Sequence, residues 1–275
     1  MAQVKHSSLL SPQFNAKEIR KDILRMAYAG NSVHIACAFS IVEILAVLYR
    51  SHLGLRSNGP DSMDRDFLVL SKGHGVMAQY ACLKELGWIS ENELESYFSD
   101  GSRLKGLSDA HVPGLEVSSG SLGHGFSVGV GLALAAKRNG TSQQCFVIAG
   151  DGEMNEGAMW EGILFAAHQG LNNLTLIIDE NKFQAMGRTS EILELGSLRD
   201  KLDAFGWETL EVDGHNEEQL DSTLCTLRKS ALPQPKALIA HTQKGKGVSF
   251  TENNNAWHYS RLDEETFRKA MQELA

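Results

Sequence analysis

The sequence predicts an α/β fold, in which a doubly wound, mostly parallel sheet is flanked by helices. Five short apolar runs alternate with helical patterns along the 275 residues. Three of these runs are apolar throughout, as expected for strands that helices cover on both faces. With 42% apolar residues and no repeat or linker, the chain favours a single domain over residues 1–275. The runs are FLVL (67–70), CFVIA (145–149), LTLII (174–178), ETLEV (208–212) and ALIA (237–240).

Helix signals lie between and beyond these runs. Ser40 and Glu43 have the spacing of a capping box and open an apolar pattern of helical period, so we expect a helix that begins just after His34. Further helices are expected from about Glu156 to Gln169, from Asn216 to about Ala231, and from Arg261 to Leu274.

The helix expected over Glu156 to Gln169 has two adjacent apolar stripes and should therefore be widely buried. The pattern does not decide between an ordinary core helix and one that also lines a subunit interface. The stripes are Met159, Ile163 and Ala166, and Trp160, Leu164 and Ala167.

Charge and composition exclude some classes of partner. Acidic residues outnumber basic ones by 34 to 26, so the net charge of −8 argues against nucleic acid. The N-terminal segment MAQVKHSSLLSPQFNAKEIRKD has no apolar core of a signal peptide, and no apolar run is long enough to span a membrane. We expect a cytoplasmic protein whose four scattered cysteines are reduced thiols. These cysteines are Cys37, Cys82, Cys145 and Cys225.

The stretch GDGEMNEG, which follows the run CFVIA, predicts a site for a magnesium diphosphate. Asp151 ends one predicted strand and Asn181 ends the next, with a helix between them. Because parallel strands point the same way, both side chains should lie at the carboxyl edge of the sheet, where such sheets bind ligands. Their oxygens suit Mg²⁺, and the flanking glycines allow backbone amides to approach an anion.

This GDG, followed about thirty residues later by an Asn in IIDENK, resembles the thiamine diphosphate motif of the transketolases and related enzymes. The resemblance implies that Asp151, Asn181 and the backbone carbonyl of Phe183 hold Mg²⁺. It also implies that Gly150 and Gly152 contact the cofactor. The first-turn Glu156 matches a glutamate that links two cofactor sites across a dimer.

Other segments extend the resemblance from about residue 15 to the C-terminus. RDFLVLSKGHG places His74 at a strand end as a contact to cofactor or substrate. PGLEVSSGSLGHG, residues 113–125, gives Gly120 and Leu122 contacts to the aminopyrimidine ring. His258 in ENNNAWHY is implied to contact diphosphate and substrate. His34 matches a histidine that handles substrate hydroxyl protons, and His111 is a further candidate for the catalytic set.

Histidines suit this chemistry because their pKa lies near neutrality. Several residues nevertheless depart from the family pattern. Val33 replaces a glycine before His34 and would be strained if that glycine has a positive φ. His124 replaces a glutamine, and Tyr259 replaces the glycine after His258. These changes point to an altered substrate pocket, since the Mg²⁺ and diphosphate residues all fit.

The resemblance covers only the diphosphate-binding half of a transketolase. The pyrimidine-binding and C-terminal domains are absent, so we expect them on a partner chain, in a heterotetramer with two copies of each chain. The predicted activity is transfer of a two-carbon ketol unit from a ketose to an aldose.

Two alternatives remain open. The first is a subunit of another thiamine diphosphate enzyme, of the 2-oxo acid dehydrogenase type or an acyloin-forming synthase. The second is a non-catalytic regulatory subunit that kept the fold.

Overall fold

The computed structural model describes residues 13–30, 33–55, 59–62 and 64–275, so most of the polar N-terminal segment lies outside it. Its strands are β1 (Phe67–Leu70), β2 (Cys145–Gly150), β3 (Leu174–Glu180), β4 (Phe183–Gln184), β5 (Gly187–Arg188), β6 (Glu208–Asp213) and β7 (Lys236–His241). Five of them form one sheet in the order β1-β2-β3-β7-β6, while β4 and β5 form a short antiparallel hairpin.

The sheet confirms the predicted strands. Each of the five apolar runs is a strand, and every pair of neighbours in the five-stranded sheet is parallel. Alternate residues of a strand enter different core clusters: Val147 lies in one and Ile148 in the other. Since both faces are buried, the doubly wound arrangement is confirmed.

Helices cover the two faces in separate groups. The helices are α1 (Ala16–Ala29), α2 (Ile35–Phe39), α3 (Val42–Val47), α4 (Val76–Glu85), α5 (Glu91–Glu95), α6 (His124–Arg138), α7 (Gly157–His168), α8 (Thr189–Ile192), α9 (Leu198–Ala204), α10 (Glu217–Lys229) and α11 (Glu264–Glu273). Side chains of α1, α3, α4 and α10 fill one core cluster, and those of α6, α7 and α9 fill the other.

A helix begins just after His34, at Ile35, as expected, but the expectation that it is one helix with a Ser40–Glu43 capping box is wrong. The segment divides into α2 and α3, and a π-helical turn, Leu48–His52, follows α3. Ser40 does not cap a helix, because its hydroxyl donates to Asp179 Oδ2 at 2.8 Å. Glu43 is likewise engaged elsewhere, accepting from Arg20 Nη1 at 2.6 Å.

The other helix boundaries agree more closely with the sequence. Asn216 caps α10 by accepting from the Gln219 amide at 3.0 Å, and α10 ends at Lys229. The last helix, α11, begins at Glu264 and not at Arg261, because Asp263 and Thr266 form a capping box there.

The expectation that α7 is widely buried is half right. Met159, Ile163 and Ala166 are buried, but Leu164 of the second stripe is 60% exposed and its neighbour Phe165 is 43% exposed. This helix therefore leaves an apolar face uncovered in the single chain.

No helix in the described part of the chain is long and apolar enough to cross a membrane. The four cysteines are free thiols, as expected; Cys37, Cys82 and Cys145 are buried and Cys225 is partly exposed.

Candidate active site

A cavity of about 700 Å³ lies at the carboxyl ends of β1, β2 and β3. It brings together every site residue predicted from the sequence except His111. Those lining it are His34, His74, Gly120, Leu122, Gly150, Asp151, Gly152, Glu156, Asn181, Phe183 and His258.

Asp151 and Asn181 lie at neighbouring strand ends, because Gly150 of β2 is paired with Asp179 of β3. The Asp151 Oδ2 atom accepts from the Lys182 amide at 2.6 Å, which fixes this carboxylate against the turn after β3. Lys182 has φ of 67°, a left-handed conformation that is uncommon for a residue with a side chain. The turn thus carries some backbone strain at the point where the predicted ligands meet.

The Asp151 carboxyl is buried, and it has no cationic partner at hydrogen-bond distance among the described residues. Burial and the nearby Asp179 carboxylate raise its pKa to about 7. A carboxylate whose charge is this costly is stabilised by a bound cation. Asp151, the Asn181 amide oxygen and the Phe183 carbonyl are therefore a donor set that fits Mg²⁺.

Two further atoms fit a polar ligand in this cavity. Asn155 Oδ1 and Gln184 Nε2 are buried without a hydrogen-bond partner in the protein, and both residues line the cavity. Buried polar atoms are normally paired, so these two are available to a ligand that enters.

Sequence reasoning missed two buried lysines in the cavity wall, Lys72 and Lys244. The Lys72 ammonium forms an ion pair with the fully buried Asp179. Burial opposes the charge on Lys72, but the surrounding acidic groups, Asp179 foremost, together outweigh burial and raise the pKa of Lys72. Lys244 donates to Asn255 Oδ1 at 2.7 Å, and burial lowers its pKa. Both lysines lie in motifs from which they could have been predicted as site residues, SKGHG and KGKG.

Three histidines from distant segments meet in the same cavity. The ring centroids of His34 and His74 are 5.3 Å apart, and that of His258 is 5.4 Å from His34. Burial, then the charge of Lys244, lowers the pKa of His34 to about 4 and that of His258 to about 3. Burial also lowers the pKa of His74 well below its usual value. All three imidazoles are therefore neutral near pH 7.

The position of His74 depends on a glycine. A Cβ atom on Gly73 would overlap the Ser119 carbonyl oxygen, which no side chain can tolerate. The turn after β1 therefore packs directly against the backbone of the loop that contains Gly120 and Leu122.

The substitutions noted around His34 have clear structural settings. Val33 forms an isolated antiparallel bridge with Ser260, in which each amide donates to the other carbonyl, and a β-branched residue suits this pairing. The Tyr259 ring lies 4.8 Å from the His34 ring and is 55% exposed. Tyr259 therefore covers the outer side of His34.

Three loops around the cavity are joined by Glu153. Its Oε1 atom accepts from the Ser71 hydroxyl at 2.5 Å and from the Gly123 amide at 2.8 Å, and its Oε2 atom accepts from the Gly150 amide at 3.3 Å. Only 1% of Glu153 is exposed. This carboxylate links the ends of β1 and β2 to the start of α6.

His111 does not join this site. Its side chain is 91% exposed and lies 2.7 Å from Asp109, on the surface of the loop before Pro113. The structure of the chain therefore gives no support for a contact between His111 and the cofactor.

A parallel α/β sheet with a buried acid at one strand end, unpaired buried polar atoms and clustered neutral histidines is the arrangement expected of a domain that binds a diphosphate cofactor. Residues 14–275 match the family described as transketolase, thiamine diphosphate binding domain. The chain belongs to this transketolase family.

Two relatives match almost end to end. An apulose-4-phosphate transketolase subunit of Phocaeicola vulgatus is 36% identical over 263 residues, which are 96% of this chain and 93% of the relative. The 6-deoxy-6-sulfo-D-fructose transketolase subunit SqwG of a Clostridium species is 38% identical over 263 residues, 95% of each chain.

Solved structures agree on the fold. The transketolase from Campylobacter jejuni matches with a TM-score of 0.89 and 28% identity, covering 98% of this chain but 43% of that one. The transketolase from Leishmania mexicana matches with a TM-score of 0.86 and 29% identity, covering 94% of this chain and 41% of that one. The present chain thus spans less than half the length of these transketolases.

Proposed function

We propose that this chain is the cofactor-binding subunit of a two-chain transketolase, which transfers a two-carbon ketol unit from a ketose to an aldose. The observation that carries the proposal is a single cavity with the Asp151 and Asn181 pair at the strand ends and three neutral histidines around it. The chain matches relatives that are themselves named as transketolase subunits, over nearly their whole length. This match supports a division of the enzyme between two chains.

In this proposal Asp151, Asn181 and the Phe183 carbonyl hold Mg²⁺, with the diphosphate of thiamine diphosphate beside Gly150 and Gly152. When bound, the cofactor supplies the carbanion-stabilising ring that allows a carbon–carbon bond beside a carbonyl to break and form. The amide of Gln184 and the Asn155 oxygen complete the contacts to the bound group. Lys72 and Lys244 supply positive charge that offsets the anionic diphosphate.

The histidines then work on the sugar. His34 and His258 have low pKa values because they are buried beside Lys244, so each is present as a neutral base. A neutral imidazole accepts the hydroxyl proton of the donor as its carbon–carbon bond breaks, and returns it to the acceptor. His74, which lies between β1 and α4, donates to the developing alkoxide oxygen in its neutral tautomer.

The partner is proposed to contribute the pyrimidine-binding domain, and two copies of each chain assemble into the active enzyme. Glu156, the N-cap residue of α7, would link the cofactor sites of the two halves. The exposed apolar face of the same helix is a surface for this assembly.

The proposal is tested first by cofactor binding. Calorimetric titration with thiamine diphosphate and Mg²⁺ should detect binding to the wild-type chain, and Asp151→Ala should abolish it. Asp203→Ala removes an exposed aspartate side chain of α9 and should bind as the wild type does.

The division between chains is tested by activity. The partner should be identified by copurification with the tagged chain in the presence of cofactor, and ketol transfer should appear only after the two pure chains are mixed. Turnover by this chain alone would contradict the split enzyme. A complex that works equally well with Asp151→Ala would instead indicate a regulatory subunit.

A further inference from the structure

A second cluster of ligand-type side chains lies outside the cavity, at the contact between α10 and the π-helical turn Leu48–His52. It consists of His52, Asp221 and Cys225, none of which lines the cavity. The three possible ligand atoms, one from each side chain, all lie within 4.8 Å of one another. Within the part of the chain that the structure describes, no other group of three such side chains lies this close.

The positions of these side chains are set by well-packed elements. Asp221 and Cys225 are four residues apart on α10, so they lie on one face of the helix. His52, at the end of the π-helical turn, lies on the opposite side of the contact. Only 2% of this residue is exposed. His52 Nε2 lies 3.0 Å from Asp221 Oδ1, and the helix itself is anchored by buried Leu220 and Leu224.

Two arginines hold the turn and α10 together. Arg50 pairs with Glu217 at 2.7 Å, and Arg228 Nη1 donates to the His52 carbonyl oxygen at 3.2 Å.

The ligand set selects a class of metal. An imidazole nitrogen, a carboxylate oxygen and a thiolate sulfur are the ligand types of Zn²⁺, whereas Mg²⁺ and Ca²⁺ take oxygen alone. Tetrahedral coordination needs ligand atoms within about 4 Å of each other, given zinc bond lengths of about 2.0–2.3 Å. The three ligand atoms of the cluster, all within 4.8 Å of one another, are close to that spacing.

We propose that His52, Asp221 and Cys225 bind Zn²⁺, with water as the fourth ligand, and that the metal ties α10 to the turn after α3. Binding breaks the S–H bond of Cys225 and releases its proton to solvent as the zinc–sulfur bond forms, with no change of oxidation state. Because the metal joins segments about 170 residues apart, it should also stabilise the fold.

The test uses the reactivity of Cys225, the one cysteine of the four that is not buried. Full-length protein in excess Mg²⁺ is treated with iodoacetamide, with and without Zn²⁺, and alkylation of each cysteine is followed by mass spectrometry. Zinc should slow alkylation of Cys225 at least about tenfold, because a metal-bound thiolate is shielded. Cobalt in place of zinc should give a thiolate-to-cobalt absorption band.

Matched variants show which side chains are responsible for the protection of Cys225 and for the cobalt band. Asp221→Asn alters a side chain that is 46% exposed, so it should fold normally and yet lose both the protection and most of the cobalt band. Cys225→Ser should lose the band, while Cys37→Ser, which removes the thiol beside His258 in the cavity, should keep it. His52→Asn should behave as Asp221→Asn does.

Three results would overturn the proposal. They are no slowing of Cys225 alkylation by zinc in the wild type, equal protection in Asp221→Asn, or a cobalt band that depends on Cys37 and not on Cys225.

Discussion

The Lys72 ammonium and the Asp179 carboxylate form an ion pair beneath the cavity, with 2% and 0% of their side chains exposed. Asp179 also accepts from the Ser40 hydroxyl and from the Asn181 amide, each at 2.8 Å. Asp179 therefore connects the segment after α2, the turn after β1 and the predicted Mg²⁺ ligand Asn181. Its position depends on the positive charge of Lys72, because an unpaired carboxylate at this depth is costly.

Replacing Lys72 should destabilise the fold strongly. Lys72→Met removes the cation and leaves the Asp179 charge buried and uncompensated, which costs about 3–5 kcal/mol. Urea unfolding followed by circular dichroism measures this free energy.

Arg268→Met is the control for that experiment. Arg268 and Glu264 form a pair in α11 whose side chains are 71% and 64% exposed. Its loss should change the unfolding free energy by less than about 1 kcal/mol. Equal effects of the two substitutions would contradict the importance of the Lys72 pair.

The stability of the cofactor-free chain should fall as pH rises from about 5 to 8. The pKa of Asp151 is raised to about 7, so the folded chain keeps a proton that the unfolded chain loses near pH 4. The stabilising contribution is full below the unfolded pKa and is lost as pH rises through about 7. Thermal unfolding across this range, with Asp151→Asn for comparison, should reveal a smaller loss in the variant.

Binding of Mg²⁺ with thiamine diphosphate should release protons near pH 7 for the same reason. A cation requires the ionised Asp151, so the apparent affinity should rise between pH 6 and 8. Calorimetry in buffers of different ionisation enthalpy counts the protons. If an Asp151→Asn variant still binds the cofactor and releases the same number of protons, a group other than Asp151 is their source.

Two histidine substitutions should differ in their effect on the cofactor site. His74→Asn changes a side chain in the cavity wall and should weaken binding of thiamine diphosphate and Mg²⁺ at least about tenfold. His111→Asn changes a side chain that is 91% exposed and should leave the affinity within about twofold. Calorimetric titration of the two variants makes this comparison, and a large effect of His111→Asn would return that residue to the site.

The exposed face of α7 should be required for assembly. Leu164→Glu combined with Phe165→Glu places charge on side chains that are 60% and 43% exposed, so the single chain should still fold. Burial of these charges in an interface is costly, and sedimentation with the partner chain should reveal weaker association.

Leu232→Glu is the matched control for that surface. It changes a leucine that is 49% exposed, in the segment between α10 and β7. Association should be unchanged by this variant. If both surfaces tolerate charge equally, the assembly uses another face.

Local patterns were sufficient to predict the sheet and most of the cavity. Apolar runs gave the five strands because parallel strands are buried on both faces, and strand direction then placed Asp151 beside Asn181. The motif resemblance placed His34, His74 and His258 near that edge, and they lie together there.

What the sequence left unpredicted depends on contacts between distant residues. Ser40 has the spacing of a helix cap, but its hydroxyl is taken by Asp179, 139 residues away, and the helix breaks there. The ion pair of Lys72 with Asp179 joins positions 107 residues apart, and no local pattern marks it. His111 lies two residues before the motif that contains Gly120 and Leu122, yet its side chain contacts Asp109 on the surface.

The contacts of Glu153 set a limit on how this protein can be redesigned. One carboxylate fixes the turn after β1, the glycine at the end of β2 and the start of α6, so these loops cannot be exchanged one at a time. A loop grafted from a relative would need to bring compatible donors to the same two oxygens. Changes of substrate range are better sought around Tyr259, whose exposed ring shares no hydrogen bond with Glu153 among the described contacts.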